Sequence, residues 1–274
     1  MKAICPICFH RCSLSEGQTG FCGARINVGG KVISENYGKI TAAALDPVEK
    51  KPLNRFFPGS RIFSVGSYGC NLHCPFCQNS DISMQYTRVP THVVSPEDLV
   101  RQAVTLKKDG NIGIAYTYNE PFISYEYVMD CAKLAHAHGL KNVMVTNGTV
   151  EEEPLLEILP WIDAFNIDLK AFTQTFYDTV QGNLEVVKRT IALAAKHSHV
   201  EVTTLIIPTE NDSEQEMESL TAWLASVDPE IPYHISRFFP SFQAQDRPAT
   251  PVKTIYHLAD IARKRLKYVY TGNC

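Results

Sequence analysis

Three cysteines lie close together on one short loop and can act jointly as metal ligands. Cys70, Cys74 and Cys77 follow the pattern C-x3-C-x2-C, and the aromatic Phe76 precedes the last of them. Three thiolates on such a loop hold three irons of a [4Fe–4S] cluster and leave the fourth iron without a protein ligand. The alternatives are a zinc loop that lacks its fourth ligand, or reduced cysteines that merely lie close together. An iron with an open position predicts catalysis.

The loop follows an apolar run, residues 62–65, which is typical of a β-strand and ends at Gly66. Parallel α/β barrels keep their functional residues on the loops at the carboxyl ends of their strands. The sequence therefore predicts that the three cysteines lie at the end of a barrel strand.

A second cysteine group lies in the first 30 residues, which are rich in glycine and have little apolar periodicity. Such a segment cannot pack a core of its own, so we expect a metal to tie its loops together. Four thiolates suit Zn²⁺ or an Fe–S centre, and the third alternative is that they hold no metal. His10 is either a substitute for one thiolate or a solvated side chain. The predicted ligands of this second metal are Cys5, Cys8, Cys12 and Cys22.

The composition is that of an ordinary soluble globular protein. In 274 residues, 45% are hydrophobic and 20% are charged, and the net charge of −3 provides no basic field for a nucleic-acid backbone. No run of 18 apolar residues predicts a membrane span, and the N-terminus does not resemble a signal peptide, so the expected compartment is the cytosol. Seven of the nine cysteines fall in two tight groups, which favours metal ligands over disulfides.

From residue 61 onward, strand-like runs alternate with stretches of helical period. The predicted strands are 61–66, 112–117, 142–146, 163–168, 200–207 and 232–237, and a short apolar piece follows at 268–270. The predicted helices are 95–109, 121–138, 151–160, 183–197, 212–227 and 251–265. Such alternation indicates a parallel sheet covered by helices. We therefore predict an α/β protein, a partial (β/α)6 TIM-like barrel at 59–274, with a small cysteine-rich metal-binding extension and connection at 1–58.

A charged piece, residues 46–53, lies between prolines just before the first barrel strand. Two interpretations are open. It is either a solvated connection or a loop that lies over the site.

The C-x3-C-x2-C motif with Phe76 resembles the signature of the radical S-adenosylmethionine (radical SAM) superfamily. The resemblance implies that the open iron chelates the amino and carboxylate groups of SAM. One electron from the cluster then cleaves SAM to methionine and a 5′-deoxyadenosyl radical. A partial barrel is also the architecture that this resemblance implies.

The resemblance extends to the end of the second predicted strand, where the family has a "GGE"-like segment that contacts the SAM amino group. Here Tyr118 and Asn119 replace the glycines and Glu120 is kept. A carboxylate beside an ammonium group forms a charge-assisted pair, so Glu120 is predicted to bind SAM together with its two neighbours. Alternatively, Asn119 is only the N-cap of the helix that begins at Pro121, with Glu120 helping at that helix end.

The ends of the third and fourth strands resemble the T-N-G and D-L-K segments that line the SAM site in the glycyl-radical-activating branch. They contribute Thr146 and Asn147, and Asp168 and Lys170. The last two residues are two apart, so their side chains point to the same face of a strand. Lys170 is predicted to pair with the SAM carboxylate, and Asp168 to lie near the ligand or a cation. The alternative is a salt bridge that closes the barrel top.

At the sixth strand, Arg237 is predicted to meet SAM or a substrate carboxylate, with a salt bridge at the rim as the alternative. His234 and Ser236 share a face of this strand. No acid–base pair stands out in the sequence, which suits a radical reaction, and no catalytic side chain is assigned.

Several segments together resemble the radical SAM member of the AmmeMemoRadiSam group, which is close to the pyruvate formate-lyase activating enzymes. These are Cys12, Cys22 and residues 46–52, 70–79, 116–121 and 237–240. The resemblance implies an enzyme that abstracts hydrogen from an unidentified protein or small molecule. It also implies a low-potential electron donor of the flavodoxin or ferredoxin type, and AMMECR1-like and Memo-like partners. A glycyl-radical activating enzyme and a non-catalytic Fe–S electron carrier or partner-binding protein are the alternatives.

Overall fold

A computed structural model describes residues 1–84 and 89–274 of the chain. The N-terminal segment is built from short antiparallel pairs. β1 (Ala3–Ile4) pairs with β2 (Ser13–Leu14), β3 (Arg25–Val28) pairs with β4 (Lys31–Ser34), and β5 (Lys39–Ile40) follows. These strands are too short to enclose an apolar core of their own.

Within the described residues, the main sheet has eight strands, and their spatial order follows the chain. They are β6 (Ala42–Pro47), β7 (Arg61–Gly66), β9 (Asn111–Tyr116), β10 (Lys141–Thr146), β11 (Ala164–Asp168), β12 (His199–Ile206), β13 (Tyr233–Arg237) and β14 (Val269–Gly272), while β8 (His92–Val93) pairs with β5 outside this sheet. All neighbouring pairs are parallel except β6 and β7, which are antiparallel. The carboxyl ends of seven strands therefore meet on one side.

Helices connect the parallel strands. They are α1 (Ser80–Ser83), α2 (Pro96–Thr105), α3 (Tyr125–Ala137), α4 (Glu152–Ile158), α5 (Gln174–Thr179), α6 (Leu184–Ala194), α7 (Glu214–Val227) and α8 (Val252–Ala262). Their buried apolar residues pack with one face of the strands in the largest core cluster. This is the arrangement of a TIM-like barrel, with the helices outside.

The prediction of a partial TIM-like α/β barrel is confirmed, and each of the six predicted strands is observed within one residue at either end. The sheet has two strands more than the prediction, β6 at one edge and β14 at the other. β14 adds a seventh parallel strand, where the sequence suggested only a short apolar piece. Its four residues are all half-buried, so they lack the alternation that marks a strand in the sequence.

The segment between β6 and β7 packs inside the barrel. Val48, Leu53 and Phe56 form a buried cluster with the inward-facing side chains of β7, β9, β10 and β11. Lys51, also buried, pairs with Asp46, at 2.9 Å between Nζ and Oδ2. The solvated connection proposed for residues 46–53 is therefore wrong, because its apolar side chains fill one end of the barrel and one of its charges is neutralised there.

β6 belongs to the predicted N-terminal segment but pairs along its whole length with β7. Part of the segment 1–58 is thus an edge strand of the barrel sheet. The division of the chain at residue 58 stays a prediction.

Candidate active site

The three-cysteine loop follows β7 and borders a cavity of about 620 Å³ at the carboxyl ends of the parallel strands. Cys70, Cys74 and Cys77 all line this cavity. Of the other predicted site residues, it is lined by Tyr118, Asn119, Glu120, Thr146, Asn147, Asp168 and Lys170. The barrel therefore brings residues from four separate loops to one place.

Close backbone packing holds the cysteine loop. Gly69 has a φ of +85°, and a Cβ there would lie 2.5 Å from the backbone oxygen of Cys22. The backbone nitrogen of Cys70 donates to the same oxygen at 3.2 Å. Glycine before the first cysteine therefore allows the two cysteine segments to touch.

Burial raises the pKa of the Cys70 thiol well above its usual value, and the negative charges of Glu120 and Cys74 add to the shift. Burial also raises the pKa of Cys74 to about 12, although the nearby Lys170 lowers it. Thiols with such pKa values lose their protons when they ligate a metal. Binding of a metal centre to these thiols is therefore coupled to the release of their protons.

The spacing of the thiols bears on the kind of metal centre. Across residues 1–84 and 89–274, no three His, Cys, Asp or Glu side chains lie close enough together to hold a single metal ion. In a [4Fe–4S] cluster each thiolate ligates a different iron, so the sulfurs lie farther apart than the ligands of one zinc ion. The three thiols of the Cys70–Cys77 loop are compatible with a [4Fe–4S] cluster that has one open iron.

Glu120 is 2% exposed and lies at the centre of a hydrogen-bond network. Its carboxylate accepts from the backbone nitrogen of Asn147 at 2.8 Å, from Oγ1 of Thr146 at 2.7 Å and from the backbone nitrogen of Phe122 at 3.0 Å. Burial raises the pKa of Glu120 to about 7, although these hydrogen bonds oppose the shift. A cation that reached this carboxylate would stabilise its charged form.

Glu120, not Asn119, is the N-cap of the 3₁₀ turn Pro121–Ser124. The interpretation of Asn119 as that cap is therefore wrong. Its side chain instead accepts from the backbone nitrogen of Ser67 at 2.8 Å and donates to the backbone oxygens of residues 68 and 69 at 3.2 Å. Asn119 thus holds the backbone that leads into the cysteine loop.

Asn147 reaches the cysteine loop directly. Its Nδ2 lies 3.6 Å from Sγ of Cys70 and 2.9 Å from Oδ1 of Asn71. Its Oδ1 accepts from the backbone nitrogen of Thr149, which fixes the orientation of the amide. The amide therefore presents an N–H group to a predicted iron ligand.

Asp168 and Lys170 form an ion pair of 2.6 Å between Oδ2 and Nζ. The two side chains remain 30% and 18% exposed, respectively, and both line the cavity. Burial alone would lower the pKa of Lys170, but the Asp168 carboxylate and the nearby thiols raise it. The pair is thus compatible both with the salt bridge considered above and with contact to a ligand.

Arg237 is not brought to this cavity, although it is among the predicted SAM contacts. Its Nε donates to the backbone oxygen of Thr250 at 2.6 Å, and its guanidinium lies over the ring of Phe239 at 4.7 Å. The neighbouring residues of β13, His234 and Ser236, do line the cavity. Side chains alternate along a strand, so Arg237 faces the other way.

A buried charged cluster that was not predicted from the sequence lies next to the cavity-lining His234. Glu201 is fully buried and accepts from Nε2 of His234 at 2.6 Å and from Nε2 of His199 at 2.9 Å. It also accepts from the backbone nitrogens of Asn54 and Arg55. A charged residue within the apolar run of β12 was the available signal, since such a charge needs partners inside the barrel.

The N-terminal cysteines lie beside the Cys70 loop. Burial raises the pKa of Cys8 to about 12, although a hydrogen bond to the Asn71 side chain opposes the shift. The backbone nitrogen of Cys5 donates to the oxygen of Cys12 at 3.0 Å, and Cys22 contacts the Cys70 backbone as described above. The structure therefore brings the two cysteine groups into contact.

His10 bridges the same two segments, so it is not a solvated side chain. Its Nε2 lies 3.0 Å from the backbone oxygen of Asn71. Its ring packs between Phe9 and Phe21, and the ring of Phe21 stacks on that of His73 with centroids 4.0 Å apart. This row of rings ties the N-terminal segment to the cysteine loop.

Comparison with known proteins agrees with this fold. The family model of the Radical SAM superfamily matches residues 64–221. The uncharacterized protein MJ0808 of Methanocaldococcus jannaschii is 39% identical over 276 residues, which cover 99% of this chain and 81% of that protein. A radical SAM methyltransferase from Sphaerobacter thermophilus superposes with a TM-score of 0.60 at 18% identity, covering 80% of this chain and 67% of the other. A domain of pyruvate-formate lyase-activating enzyme from Bacteroides vulgatus superposes with a TM-score of 0.51 at 19% identity, covering 59% of this chain and 99% of that domain.

The fold and the site define an α/β barrel protein with three thiols at the carboxyl ends of its strands. The chain belongs to the radical SAM superfamily. Membership implies an enzyme whose cofactors are SAM and a [4Fe–4S] cluster. In the described part of the chain, none of the helices has the length and apolar character needed to span a membrane.

Proposed function

We propose that Cys70, Cys74 and Cys77 bind a [4Fe–4S] cluster and that the chain uses it to cleave SAM reductively. The cluster supplies the electron that splits SAM into methionine and a 5′-deoxyadenosyl radical, which removes hydrogen from an unidentified substrate. The observation that carries this proposal is that these three thiols and the buried carboxylate of Glu120 line one cavity. A second class of protein, a non-catalytic electron carrier, has no need of such a carboxylate.

The chain's own residues would bind and orient SAM. Glu120 would pair with the SAM ammonium group, since its carboxylate is on the cavity wall and its Oε2 accepts one hydrogen bond, from the backbone nitrogen of Asn147, which leaves it room for a second donor. Lys170 would pair with the SAM carboxylate, as it borders the cavity beside Cys74. The backbone and side chains of Tyr118, Asn119, Thr146 and Asn147 would complete the wall. The closed end of the barrel, filled by Leu53 and Phe56, keeps solvent from one side of the cavity.

The test is anaerobic reconstitution with iron and sulfide, followed by dithionite and SAM. We expect 5′-deoxyadenosine and methionine, measured by mass spectrometry, from the wild type and not from Cys74→Ala. Cys131→Ala is the matched control, because Cys131 is a buried cysteine within α3, outside the cavity lining. A reduced, fully loaded cluster that leaves SAM intact and shows no SAM-dependent change in its EPR spectrum would instead support the electron carrier.

The finer assignment, to an activating enzyme of the pyruvate formate-lyase type, draws support from the resemblance in the motifs of residues 146–148 and 168–170. The shared fold does not identify the substrate. An activating enzyme would place a glycyl radical on a partner protein. Incubation of the reduced protein with SAM and a candidate partner, followed by EPR for a glycyl-radical doublet, distinguishes this function from action on a small molecule.

We also propose that a flavodoxin- or ferredoxin-type protein supplies the electron, and that AMMECR1-like and Memo-like proteins are companions. The donor is tested by replacing dithionite with a reduced flavodoxin or ferredoxin and measuring 5′-deoxyadenosine. The companions are tested by co-purification of all three proteins expressed together. An absence of product with every low-potential protein donor, or an absence of any stable or activating complex, would contradict the respective proposal.

A second metal at Cys5, Cys8, Cys12 and Cys22 is proposed from their grouping in the sequence and the burial of Cys5, Cys8 and Cys22; to ligate one zinc ion, their side chains would have to move closer together. We expect metal analysis to find zinc, or iron beyond four atoms per chain. The double substitution Cys5→Ser and Cys8→Ser should remove this excess and leave the cluster at Cys70–Cys77. Equal metal content in both proteins would show that the N-terminal cysteines hold no metal.

A further inference from the structure

The backbone at Tyr118 has a conformation that a non-glycine residue rarely adopts. Its φ is +72°, and the backbone nitrogen of Asn119 donates to the oxygen of Thr117 at 3.0 Å. A hydrogen bond between residues two apart around a positive φ defines the rare and strained form of the γ-turn. Such strain persists only where the surrounding structure enforces it, and it is concentrated at functional sites.

Two charged side chains far away in the sequence hold this residue. The hydroxyl of Tyr118 donates to Oδ2 of Asp46 at 2.9 Å, and Nζ of Lys51 lies 2.9 Å from the same oxygen. Nζ of Lys51 also lies 4.7 Å from the centroid of the Tyr118 ring. The Lys51 and Asp46 side chains are 5% and 14% exposed, so water competes little for these contacts.

The opposite side of the turn is fixed by a glycine. A Cβ on Gly66 would lie 2.7 Å from the backbone oxygen of Thr117 and 2.8 Å from Cβ of Tyr118. The turn is therefore confined between the end of β7 and the Asp46–Lys51 pair. Its position depends on contacts that lie outside its own loop.

The turn sets the positions of residues that line the cavity. Asn79, on the far side of the cysteine loop, donates from Nδ2 to the backbone oxygen of Tyr118 at 2.7 Å. The next residue, Asn119, holds the backbone just before Cys70. Glu120, which follows it, accepts from the backbone nitrogen of Asn147. A shift of the turn would therefore move each group that the chain offers to SAM on this wall.

We propose that Asp46, Lys51 and the hydroxyl of Tyr118 form a clamp that holds the strained turn and thereby preorganises the SAM site. The three are positioning residues, since they act through the backbone of residues 117–120. The inference rests on the proposed function in one respect, that SAM binds in this cavity. Preorganisation increases affinity because less ordering remains to be done when the ligand binds.

The test is a double-mutant cycle on the reconstituted protein with its cluster oxidised, so that SAM binds without being cleaved. The SAM dissociation constant is measured by calorimetry for the wild type, Lys51→Met, Tyr118→Gly and the double variant. Glycine adopts a positive φ without strain, so the clamp becomes dispensable in the Tyr118→Gly background. We expect Lys51→Met to weaken SAM binding about tenfold in the wild-type background and less than about twofold in the Tyr118→Gly background.

The matched control is Lys141→Met. Lys141 also pairs with an aspartate, at 2.7 Å from Asp163, and its Nζ lies 6.0 Å from the ring of Phe57. It is outside the cavity lining and should leave SAM affinity unchanged. Thermal unfolding of every variant separates a loss of fold from a loss of binding.

Equal weakening by Lys51→Met in both backgrounds, or no weakening in either, would overturn the clamp. If Lys51→Met does not fold, Tyr118→Phe removes only the hydroxyl, and its SAM affinity should fall by roughly three- to tenfold. Unchanged affinity of Tyr118→Phe then overturns the proposal. A wild type that binds no SAM refutes the proposed function itself, which is a different result from a wild type that binds SAM without the coupling.

Discussion

The side-chain amide of Asn147 lies 3.6 Å from the Sγ of Cys70, so the end of β10 contacts the first cysteine of the C-x3-C-x2-C loop. The same residue donates its backbone N–H to the buried carboxylate of Glu120 at 2.8 Å. One residue therefore connects the predicted iron ligands to the carboxylate that is proposed to bind the SAM ammonium. Substitution of Asn147 should therefore change the reduction potential of the cluster, and substitution of Glu120 should change the affinity for SAM.

Replacing Asn147 should alter the reduction potential of the cluster. An N–H group directed at a ligating sulfur stabilises the more negative, reduced cluster. Loss of about 1 kcal/mol of this stabilisation in Asn147→Leu corresponds to a potential lower by roughly 40 mV. EPR-monitored redox titration measures the shift. Asn166→Leu is the control, since this buried asparagine bonds to Pro52 and Thr203 instead. Equal potentials for wild type and Asn147→Leu would contradict the prediction.

Replacing Glu120 by glutamine should weaken SAM binding with little loss of cluster. The amide keeps the size and one acceptor oxygen but removes the charge, and a hydrogen bond to a charged group contributes about 1.5–3 kcal/mol. We therefore expect SAM affinity to fall by about ten- to a hundredfold in calorimetric titration. Glu201→Gln replaces another buried carboxylate, outside the cavity lining, and should bind SAM as the wild type does. Similar losses in both variants would argue against a specific role of Glu120.

The substitution Lys170→Met distinguishes two roles of the Asp168–Lys170 pair, SAM binding and closure of the barrel. If Lys170 pairs with the SAM carboxylate, Lys170→Met should weaken SAM binding about tenfold, because a charge-assisted hydrogen bond is lost. If the pair only closes the barrel, the same variant should unfold at lower temperature and bind SAM normally. We expect the first result, from titration and thermal unfolding measured together. Lys188→Met is the control, as Lys188 pairs with Glu185 on α6 at 2.8 Å.

Glu201 should make the stability of the fold depend on pH. Burial alone raises its pKa, but hydrogen bonds from His199, His234 and the backbone nitrogens of Arg55 and Asn54 outweigh burial and lower the pKa to about 2. The ionised form of Glu201 is therefore more stable in the folded protein than in the unfolded chain. This contribution is fully present above pH 4.5 and is lost as the pH falls from about 4.5 through about 2.

The expected loss from this residue alone is about 2 kcal/mol of the free energy of unfolding between pH 7 and pH 3. Urea unfolding at both pH values measures it. In Glu201→Gln the pH dependence should be smaller by that amount, because the amide does not titrate. Parallel pH profiles for the two proteins would show that Glu201 has an ordinary pKa in the folded state.

Local sequence features predicted most of the barrel. The alternation of apolar runs with helical periods located β7 and β9–β13, because residues 61–237 repeat one strand-and-helix unit whose pattern is set by neighbouring residues. The strand ends then indicated the polar residues of the site, since carboxyl ends of parallel strands meet on one side of a barrel. Seven of the eight residues predicted to bind SAM line the cavity, and Arg237 does not.

The rest depends on contacts between residues far apart in the chain. The Tyr118–Asp46 hydrogen bond joins residues 72 positions apart, and the His234–Glu201 bond joins residues 33 apart. No local periodicity encodes such a pair, because it forms only after the sheet has curved and the segment between β6 and β7 has entered the barrel. The same curvature brings the half-buried β14 into the sheet as a strand.

The cysteine loop, the order of strands and helices, and the chemical groups at the strand ends could be read from the sequence, because they follow from residue type and spacing within short windows. Contacts between distant segments instead decided that Lys51 is buried beside Asp46, that Glu120 rather than Asn119 caps the turn at Pro121, and that Arg237 points away from the cavity. Those outcomes depend on which buried charges find partners once the barrel closes. A buried charge without a partner is too costly to persist, so the packing of distant segments selects the pairs.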